Sequence, residues 1–260
     1  YGYVWFRDDA SVSRHLLEAG DRLDIDTVEM LTESAEFLCD SQLSDGRWPH
    51  RVWADTGAIA PGWANARVEH NAESPEYQAD QTATVTALLA TLLRTHRSKM
   101  DAELTATVRE TIEAAVDALI EDIAANALPE PCQNVWEDSI GQFTHTTATF
   151  IEAFAAVSRA PMPESVCERS LTAADRLLDG LNTLWDDDLG VYVMGLTNGT
   201  PDHRIDAAGL HLADALQEYD GVESTTLPDQ HLTRLADHVS TTLDTLFRNP
   251  TESRVAGLAR

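Results

Sequence analysis

The feature that most constrains the fold of this chain is a succession of about eight segments with the apolar spacing of an α-helix. In one of them, Leu88, Leu89, Leu92 and Leu93 recur at the intervals that place side chains on one helical face. Short turns alternate with long loops between the segments, and no strand-helix-strand alternation is present. The pattern predicts an all-α fold, a toroid or solenoid of antiparallel helices with the long loops on one end.

The ends of the predicted helices follow from capping residues and from glycine and proline punctuation. No self-similarity defines a repeat unit, so periodicity by itself leaves toroid and solenoid both open. The segment from Leu184 to Gly195 alternates enough for a small strand or hairpin. The predicted helices run from Asp8 or Asp9 to Gly20, from Asp26 or Thr27 through Leu38, from Tyr77 to about His96, from Asp101 to about Asn126, from about Phe150 through Val157, from Pro163 to about Leu184, from about Asp206 to Tyr219, and from Pro228 to Phe247.

The stretch from Cys132 to Phe150 has neither a helical nor a strand period, and it places Glu137 and Asp138 directly after Trp136. Hydrolysis of a glycosidic bond needs one carboxylic acid that stays protonated and a second carboxylate. The indole and the second carboxylate both disfavour ionisation, so we expect a raised pKa that suits Glu137 to general-acid catalysis, with Trp136 and Asp138 binding substrate. The alternative is a solvated loop whose acids cap the next helix.

The N-terminal loop carries residues that suit a sugar ring, namely Tyr1, Trp5, Arg7 and Asp8. Aromatic faces stack on the C–H faces of sugars, and an adjacent arginine and aspartate offer donors and an acceptor to neighbouring hydroxyls. The alternative is an aromatic cluster in which Asp8 caps a helix and pairs with Arg7.

Two further loops repeat this composition. The loop from Ser44 to Pro75 carries three tryptophans, among them Trp48 and Trp63, and structureless runs of this length are more often functional than accidental. Its alternative is that at least one indole anchors the loop in the core. Asp80 and Asp206 each stand at the start of a predicted helix, and acids that simply favour a helix N-terminus are the alternative there.

The charge balance excludes two classes of partner. The chain has 44 Asp plus Glu residues against 18 Lys plus Arg, a formal net charge of −26, and Lys99 is its only lysine. Nucleic acid and anionic membrane surfaces would both be repelled. Because salt screens self-repulsion, the composition suggests a salt-adapted protein, such as one from a halophilic archaeon, and leaves a cytoplasmic or secreted location open.

The motifs predict no metal and no cofactor. The nine histidines form no HxxxH or HxH pair, and Cys39, Cys132 and Cys167 form no CxxC pair. Fingerprints of nucleotide binding and of serine hydrolases are missing from the sequence. No apolar run of about 18 residues predicts a membrane span.

Taken in order, the motifs resemble those of glycoside hydrolase family 15, the glucoamylase and glucodextranase family of inverting exo-glucosidases. YGYVWFRDDA is similar to the family's Y-x-Y-x-W-x-R-D segment, YQADQTA to its Q-x-D-E-T-A segment, and NVWEDSIGQFTHTTA to its W-E-E segment. RIDAA resembles L-D-A-S, and VAGLAR resembles the start of G-x-R-Y-P-E-D. Trp48 lies in DGRWPHRVWADTG, which resembles a tryptophan-containing loop of bacterial and archaeal members.

The resemblance implies roles for individual residues. Glu137 is the counterpart of the general acid, and Asp138 is the neighbouring carboxylate, shorter by a methylene. Arg7 and Asp8 line the first sugar subsite, and Arg260 binds substrate. The family's general base is a glutamate that follows the R-Y-P-E-D segment, which places it beyond Arg260.

The implied fold is an (α/α)6 barrel of twelve helices, of which about eight fall in this chain. Residues 1–260 then form a single catalytic-domain fragment, incomplete at both ends and inactive by itself. The expected substrate is a terminal α-linked glucose of an α-glucan or oligosaccharide, while linkage and oligomeric state stay open. Two alternatives remain: a glucan-binding or regulatory toroid without catalysis, and a helical interaction protein with no carbohydrate role.

Overall fold

The computed structural model of the chain describes residues 2–23, 25–60, 77–248 and 257–258. Within these ranges the backbone forms eight α-helices, and each lies where the apolar periodicity predicts one. The predicted all-α fold is therefore confirmed. The helices are Phe6–Leu23 (α1), Val28–Asp40 (α2), Ala79–Thr95 (α3), Ala102–Glu121 (α4), Thr144–Arg159 (α5), Glu164–Leu181 (α6), Leu212–Asp220 (α7) and Asp229–Leu246 (α8).

The helices form two layers. α1 packs against α3, α3 against α5, and α5 against α7, so alternate helices make a continuous inner layer. α2 packs against α1 and α4, and α4 packs against α6, which makes an outer layer. This arrangement is the double layer of an (α/α) toroid, in which consecutive helices run antiparallel and alternate between the layers.

The sequences of the inner helices explain their position. α3 and α5 are rich in alanine, threonine and large apolar residues, and nearly every side chain from Ala79 to Leu93 is buried. The buried hydroxyls of Thr84 and Thr86 donate to the carbonyls four residues earlier, so they need no water. Helices α6 and α8 instead bury a single stripe and expose charged residues.

Short strands occupy the ends of the long loops. The strands are Tyr3–Trp5 (β1), Arg51–Trp53 (β2), Cys132–Gln133 (β3), Ile140–Phe143 (β4), Trp185–Asp186 (β5), Val191–Tyr192 (β6), Gly195–Thr197 (β7), Thr200–Asp202 (β8), Phe247–Arg248 (β9) and Gly257–Leu258 (β10). Strands β3, β4, β7 and β8 form a four-stranded antiparallel sheet in the order β3-β4-β7-β8, and β1–β2, β5–β6 and β9–β10 form three antiparallel pairs. The predicted hairpin between Leu184 and Gly195 is confirmed by β5 and β6.

The expectation that Cys132 to Phe150 has no strand is wrong. β3 and β4 lie in this stretch and flank a turn of residues 134–139. Strands of two and four residues contain too few alternations to be read from sequence, and β4 is held by pairing with β7, which is distant along the chain.

The segment between α2 and β2 is anchored to the core at two points. Arg47 donates to both carboxylate oxygens of Asp122, at 3.1 and 2.7 Å, and the Tyr77 hydroxyl donates to the same carboxylate at 3.0 Å. The indole of Trp48 is fully buried, and its N–H donates to the carbonyl of Leu38 at 2.8 Å. A buried charge pair with an added hydrogen bond fixes the path of the chain that follows.

Leu89→Ala on α3 is expected to lower the free energy of unfolding by about 2–5 kcal/mol, because the substitution leaves a cavity at a fully buried position. Leu232→Ala on α8 is the matched control: Leu232 is 49% exposed, and its truncation is expected to cost less than about 1 kcal/mol. Urea unfolding measures both values. Equal losses for the two variants would contradict the assignment of α3 to the inner layer.

Candidate functional site

The long loops that precede α1, α3, α5 and α7 meet at one end of the toroid. β1 pairs with β2, which joins the first of these loops to the second. The second and third meet where His50 Nε2 lies 3.1 Å from Glu137 Oε1. The third and fourth meet where the Trp136 indole N–H donates to Asp206 Oδ1 at 2.9 Å. The expectation that the loops share one end is therefore confirmed in the described residues.

Asn134 organises the turn that presents Glu137. Asn134 is buried; its backbone N–H donates to the Ser139 carbonyl at 2.9 Å, and its side-chain oxygen accepts from the N–H of Asp138 at 3.0 Å. The Glu137 N–H donates back to the Asn134 carbonyl at 3.0 Å. Glu137 itself has φ of 62°, in the left-handed region that a residue with a side chain seldom adopts.

The left-handed residue separates three consecutive side chains. Glu137 is directed toward His50, whereas Trp136 and Asp138 line a cleft on the other side of the turn. The side-chain N–H of Asn134 donates to Asp138 at 2.8 Å. Residues that are neighbours in the sequence therefore have separate surroundings.

Glu137 faces a set of hydrogen-bond donors. Arg51 donates to His50 Nδ1 at 3.1 Å, and because a guanidinium can only donate, the ring proton of His50 resides on Nε2, the atom nearest Glu137. The pKa of Glu137 lies below its ordinary value, mainly because of His50 and against the effect of partial burial, with further lowering by Arg7 and Gln78. The Glu137 side chain is 29% exposed, so it can still reach a ligand.

The expected raised pKa of Glu137 is therefore wrong for the free protein. The expectation relied on the indole of Trp136 and the carboxylate of Asp138, and both of these side chains turn away from Glu137 into the cleft. His50, which lies in a different loop, has the dominant effect on Glu137 instead.

Arg7 links the turn to the core. It lies in the first turn of α1 and donates to Asp80 Oδ2 at 3.1 Å and to the side-chain oxygen of Gln78. Asp80 is fully buried on the first turn of α3, and Arg7 is 14% exposed. The alternative pairing of Arg7 with Asp8 is thus replaced by a pairing with Asp80, while Asp8 is exposed in the first turn of α1.

A second polar group lies behind Arg7 and was not predicted from the sequence. The buried carboxylate of Glu152 on α5 accepts from Arg14 and lies 2.8 Å from His211 Nε2. Burial raises the pKa of Glu152, but His211 and Arg14 together outweigh this and hold it below its ordinary value. Glu152 is an isolated charge in the apolar run TFIEAFAAV, and that isolation was the available sequence signal.

His145 connects the two polar groups. Its ring centroid lies 5.5 Å from that of His211, and its Nδ1 lies 3.8 Å from Asp80 Oδ2. Burial is the main cause that lowers the pKa of His145 to about 4, so the ring is neutral at physiological pH. Polar side chains thus form a continuous path across the inner helices. The path runs from Arg7 through Asp80, His145, His211 and Glu152 to Arg14.

A cleft of about 500 Å³ lies beside the Glu137 turn. Trp136, Asp138, Met194, Arg204 and Asp206 line it, and Trp136 is 36% exposed. Arg204 is held by two-point contact with Asp202. A ring face beside carboxylates and a guanidinium suits a hydroxylated ligand such as a sugar.

The remaining predicted site residues have different surroundings. Trp5 is half-buried and packs edge-on against Tyr3, with ring centroids 5.6 Å apart. Trp48 was predicted to bind substrate, and this is wrong for the described conformation because its ring is enclosed in the core; it anchors the loop instead. Tyr1 and Arg260, and with them Trp63, lie outside the described residues.

Among the described residues, no three His, Cys, Asp or Glu side chains lie close enough together to hold a metal ion. None of the helices in that same part of the chain combines the length and apolarity that crossing a bilayer requires.

Comparisons with known proteins show the fold. No family model and no curated protein matches the sequence. Among solved structures, a bacterial glucoamylase complexed with acarbose matches with a TM-score of 0.57 and 17% identity over 94% of this chain. A rhamnosidase from Klebsiella oxytoca with rhamnose bound matches with a TM-score of 0.58 and 13% identity over 93% of this chain. A GH63 mannosylglycerate hydrolase from Thermus thermophilus in complex with glucose matches with a TM-score of 0.59 and 15% identity over 95% of this chain.

These similarities confirm the predicted (α/α)6 toroid, to which the described residues contribute eight helices. This chain spans 34% of the glucoamylase, 46% of the rhamnosidase and 71% of the mannosylglycerate hydrolase. At identities this low the likeness shows the fold, and function has to be argued from the site.

Replacing His145 by glutamine is expected to flatten the pH dependence of the unfolding free energy between about pH 6.5 and pH 4. In the native protein the pKa of His145 is about 4, whereas an unfolded histidine titrates near 6.5. The unfolded state therefore binds one more proton in this range, and wild-type stability falls as the pH drops.

Urea unfolding at several pH values measures this slope. His15→Gln, at an exposed position on α1, is the control and is expected to keep the wild-type slope. A His145 variant with an unchanged slope would show that the ring is not buried in its neutral form.

Proposed function

We propose that the protein hydrolyses terminal α-linked glucose units of α-glucans or oligosaccharides with inversion, and that Glu137 is the general acid. The observation that carries this proposal is the placement of Glu137: a partly exposed carboxylate on a strained turn, beside a sugar-sized cleft, where the loops of the toroid meet. Structural strain and titratable groups beside a cleft are typical of catalytic positions.

The surroundings of Glu137 support a division of roles. Glu137 protonates the glycosidic oxygen, and Arg7, with Gln78 beside it, binds hydroxyls of the sugar that is released. On the other side of the turn, Trp136 and Asp206 offer a ring face and a carboxylate to the leaving group.

The general base is proposed to be a glutamate that follows Arg260 in the complete protein, as the resemblance to family 15 implies. An inverting mechanism needs the two carboxyl groups about 6.5 to 9.5 Å apart, so that a water molecule fits between the base and the anomeric carbon. Within this chain, Asp138 faces the cleft, which makes it unsuited to that role.

A second candidate is a glucan-binding toroid without catalysis. The observation in its favour is the lowered pKa of Glu137, because an ionised carboxylate accepts hydrogen bonds from sugar hydroxyls but has no proton to give. The third possibility, an interaction protein without a sugar site, is disfavoured because Arg7 and Glu137 face each other across Gln78 rather than pointing apart.

Glu137→Gln in the full-length protein is expected to lower kcat for glucose release by at least about a hundredfold, since glutamine cannot donate the catalytic proton. Glucose release from maltose, isomaltose, dextran and trehalose at high salt measures activity and identifies the linkage. Glu130→Gln is the matched control, because Glu130 is exposed in the same loop, and it should retain wild-type rates.

The results separate the two candidates. Hydrolysis that survives the Glu137 substitution would exclude this residue as the acid. Oligosaccharide binding without hydrolysis by the wild-type protein would favour the binding toroid.

A further inference from the structure

His50 is a buried group whose Nε2 lies 3.1 Å from the Glu137 carboxylate, and neither the motifs nor the resemblance assigns it a role. It is 3% exposed, and its position is set from both sides. Trp48, two residues earlier, is anchored through its indole to Leu38, and its carbonyl accepts from the side chain of Gln81 at 2.7 Å. Arg51, the next residue, occupies the other ring nitrogen. These contacts orient the ring with Nε2 toward Glu137.

We propose that His50 is a positioning residue for Glu137: its buried ring, with Nε2 3.1 Å from Glu137 Oε1, holds the carboxylate in place and stabilises its ionised form. This inference rests on the proposed function, in which Glu137 is the acid. It deepens that function by naming the group that sets the pH range of the reaction.

Solvent can supply the Glu137 proton used in each turnover, because the carboxylate is partly exposed.

Within the described part of the chain, the groups that face Glu137 come from three elements. His50 approaches from the loop after α2, Arg7 from α1, and Gln78 from the residue before α3. Arg7 and Gln78 also bind each other, and Arg7 is paired with Asp80. Glu137 Oε1 lies 3.1 Å from His50 Nε2, so removal of His50 should act on Glu137 directly.

The expected consequence is a change in the pH profile. A general acid works only when protonated, so kcat/KM falls as the pH rises through the pKa of Glu137 in the free enzyme. His50 lowers that pKa, so the pH optimum of kcat/KM for the wild-type protein is expected below neutral pH. Without His50, the falling limb should move to higher pH.

The experiment compares His50→Leu, His50→Gln and wild type in the full-length protein. Leucine fills much of the space without a donor, whereas glutamine places an amide N–H close to where Nε2–H was. His50→Leu should raise the ratio of kcat/KM at pH 7 to that at pH 5 and lower the maximum about tenfold, since a close polar contact with a charged group is lost. His50→Gln should restore the wild-type profile.

Controls separate positioning from folding. His15→Leu changes an exposed histidine in the same way and should leave the profile unchanged. Thermal unfolding shows whether each variant is folded. A folded His50→Leu variant whose kcat/KM falls over the same pH range as in wild type would overturn the inference. A His50→Gln variant with the same pH profile as His50→Leu would overturn it as well.

A measurement independent of activity keeps the two proposals distinguishable. Carbon NMR of labelled glutamate carboxyls, with the Glu137 signal assigned by Glu137→Gln, follows the titration of Glu137 directly. If the wild-type protein hydrolyses no substrate, the proposed function fails, while a higher Glu137 pKa in His50→Leu would still support His50 as its partner. An unchanged pKa would overturn the inference in either case.

Discussion

The ion pair between Arg7 and Asp80 is the interaction on which the candidate site depends. Asp80 is fully buried at the start of α3, where an unpaired carboxylate would cost several kcal/mol, so its pairing with Arg7 ties α1 to α3. Arg7 also holds Gln78, and the Gln78 amide donates to Gln133 at 3.0 Å. The Gln133 amide donates in turn to the Glu137 carbonyl at 3.3 Å. A chain of contacts thus carries the rigidity of the inner helices to the turn.

The sequence predicted the helices well because their signal is local and long. Thirteen or more residues of apolar periodicity define elements such as α2 and α3, whose packing then follows from their buried faces. The four-stranded sheet gave no comparable signal, since it is assembled from strands of two to four residues that pair across the chain. A Cβ on Gly195 would lie 2.4 Å from the Gln142 carbonyl, so close pairing of β4 and β7 requires that glycine.

The position of the candidate acid could be predicted from sequence, but its electrostatics could not. Adjacency in the sequence suggested that Trp136 and Asp138 surround Glu137, and a single left-handed residue places them elsewhere. The effective neighbour, His50, comes from a loop that only the fold brings near. For Asp206, the helix-start interpretation and the site interpretation both hold. Its Oδ1 accepts from the Ala208 N–H at a helix start and from the Trp136 indole N–H in the cleft. A helix-start acid and a site residue can be one side chain.

The acidic surface and the local contacts of Glu137 act on its pKa in opposite directions. A net charge of −26 makes the whole chain a source of negative potential, which disfavours an ionised carboxylate. At molar salt the Debye length is about 3 Å, so the charges of distant surface acids are screened. The contact between His50 and Glu137, at 3.1 Å and partly buried, is screened far less. In a salt-rich medium the protonation state of Glu137 is therefore set by the few groups that contact it. An acidic surface then places little constraint on the chemistry of the site.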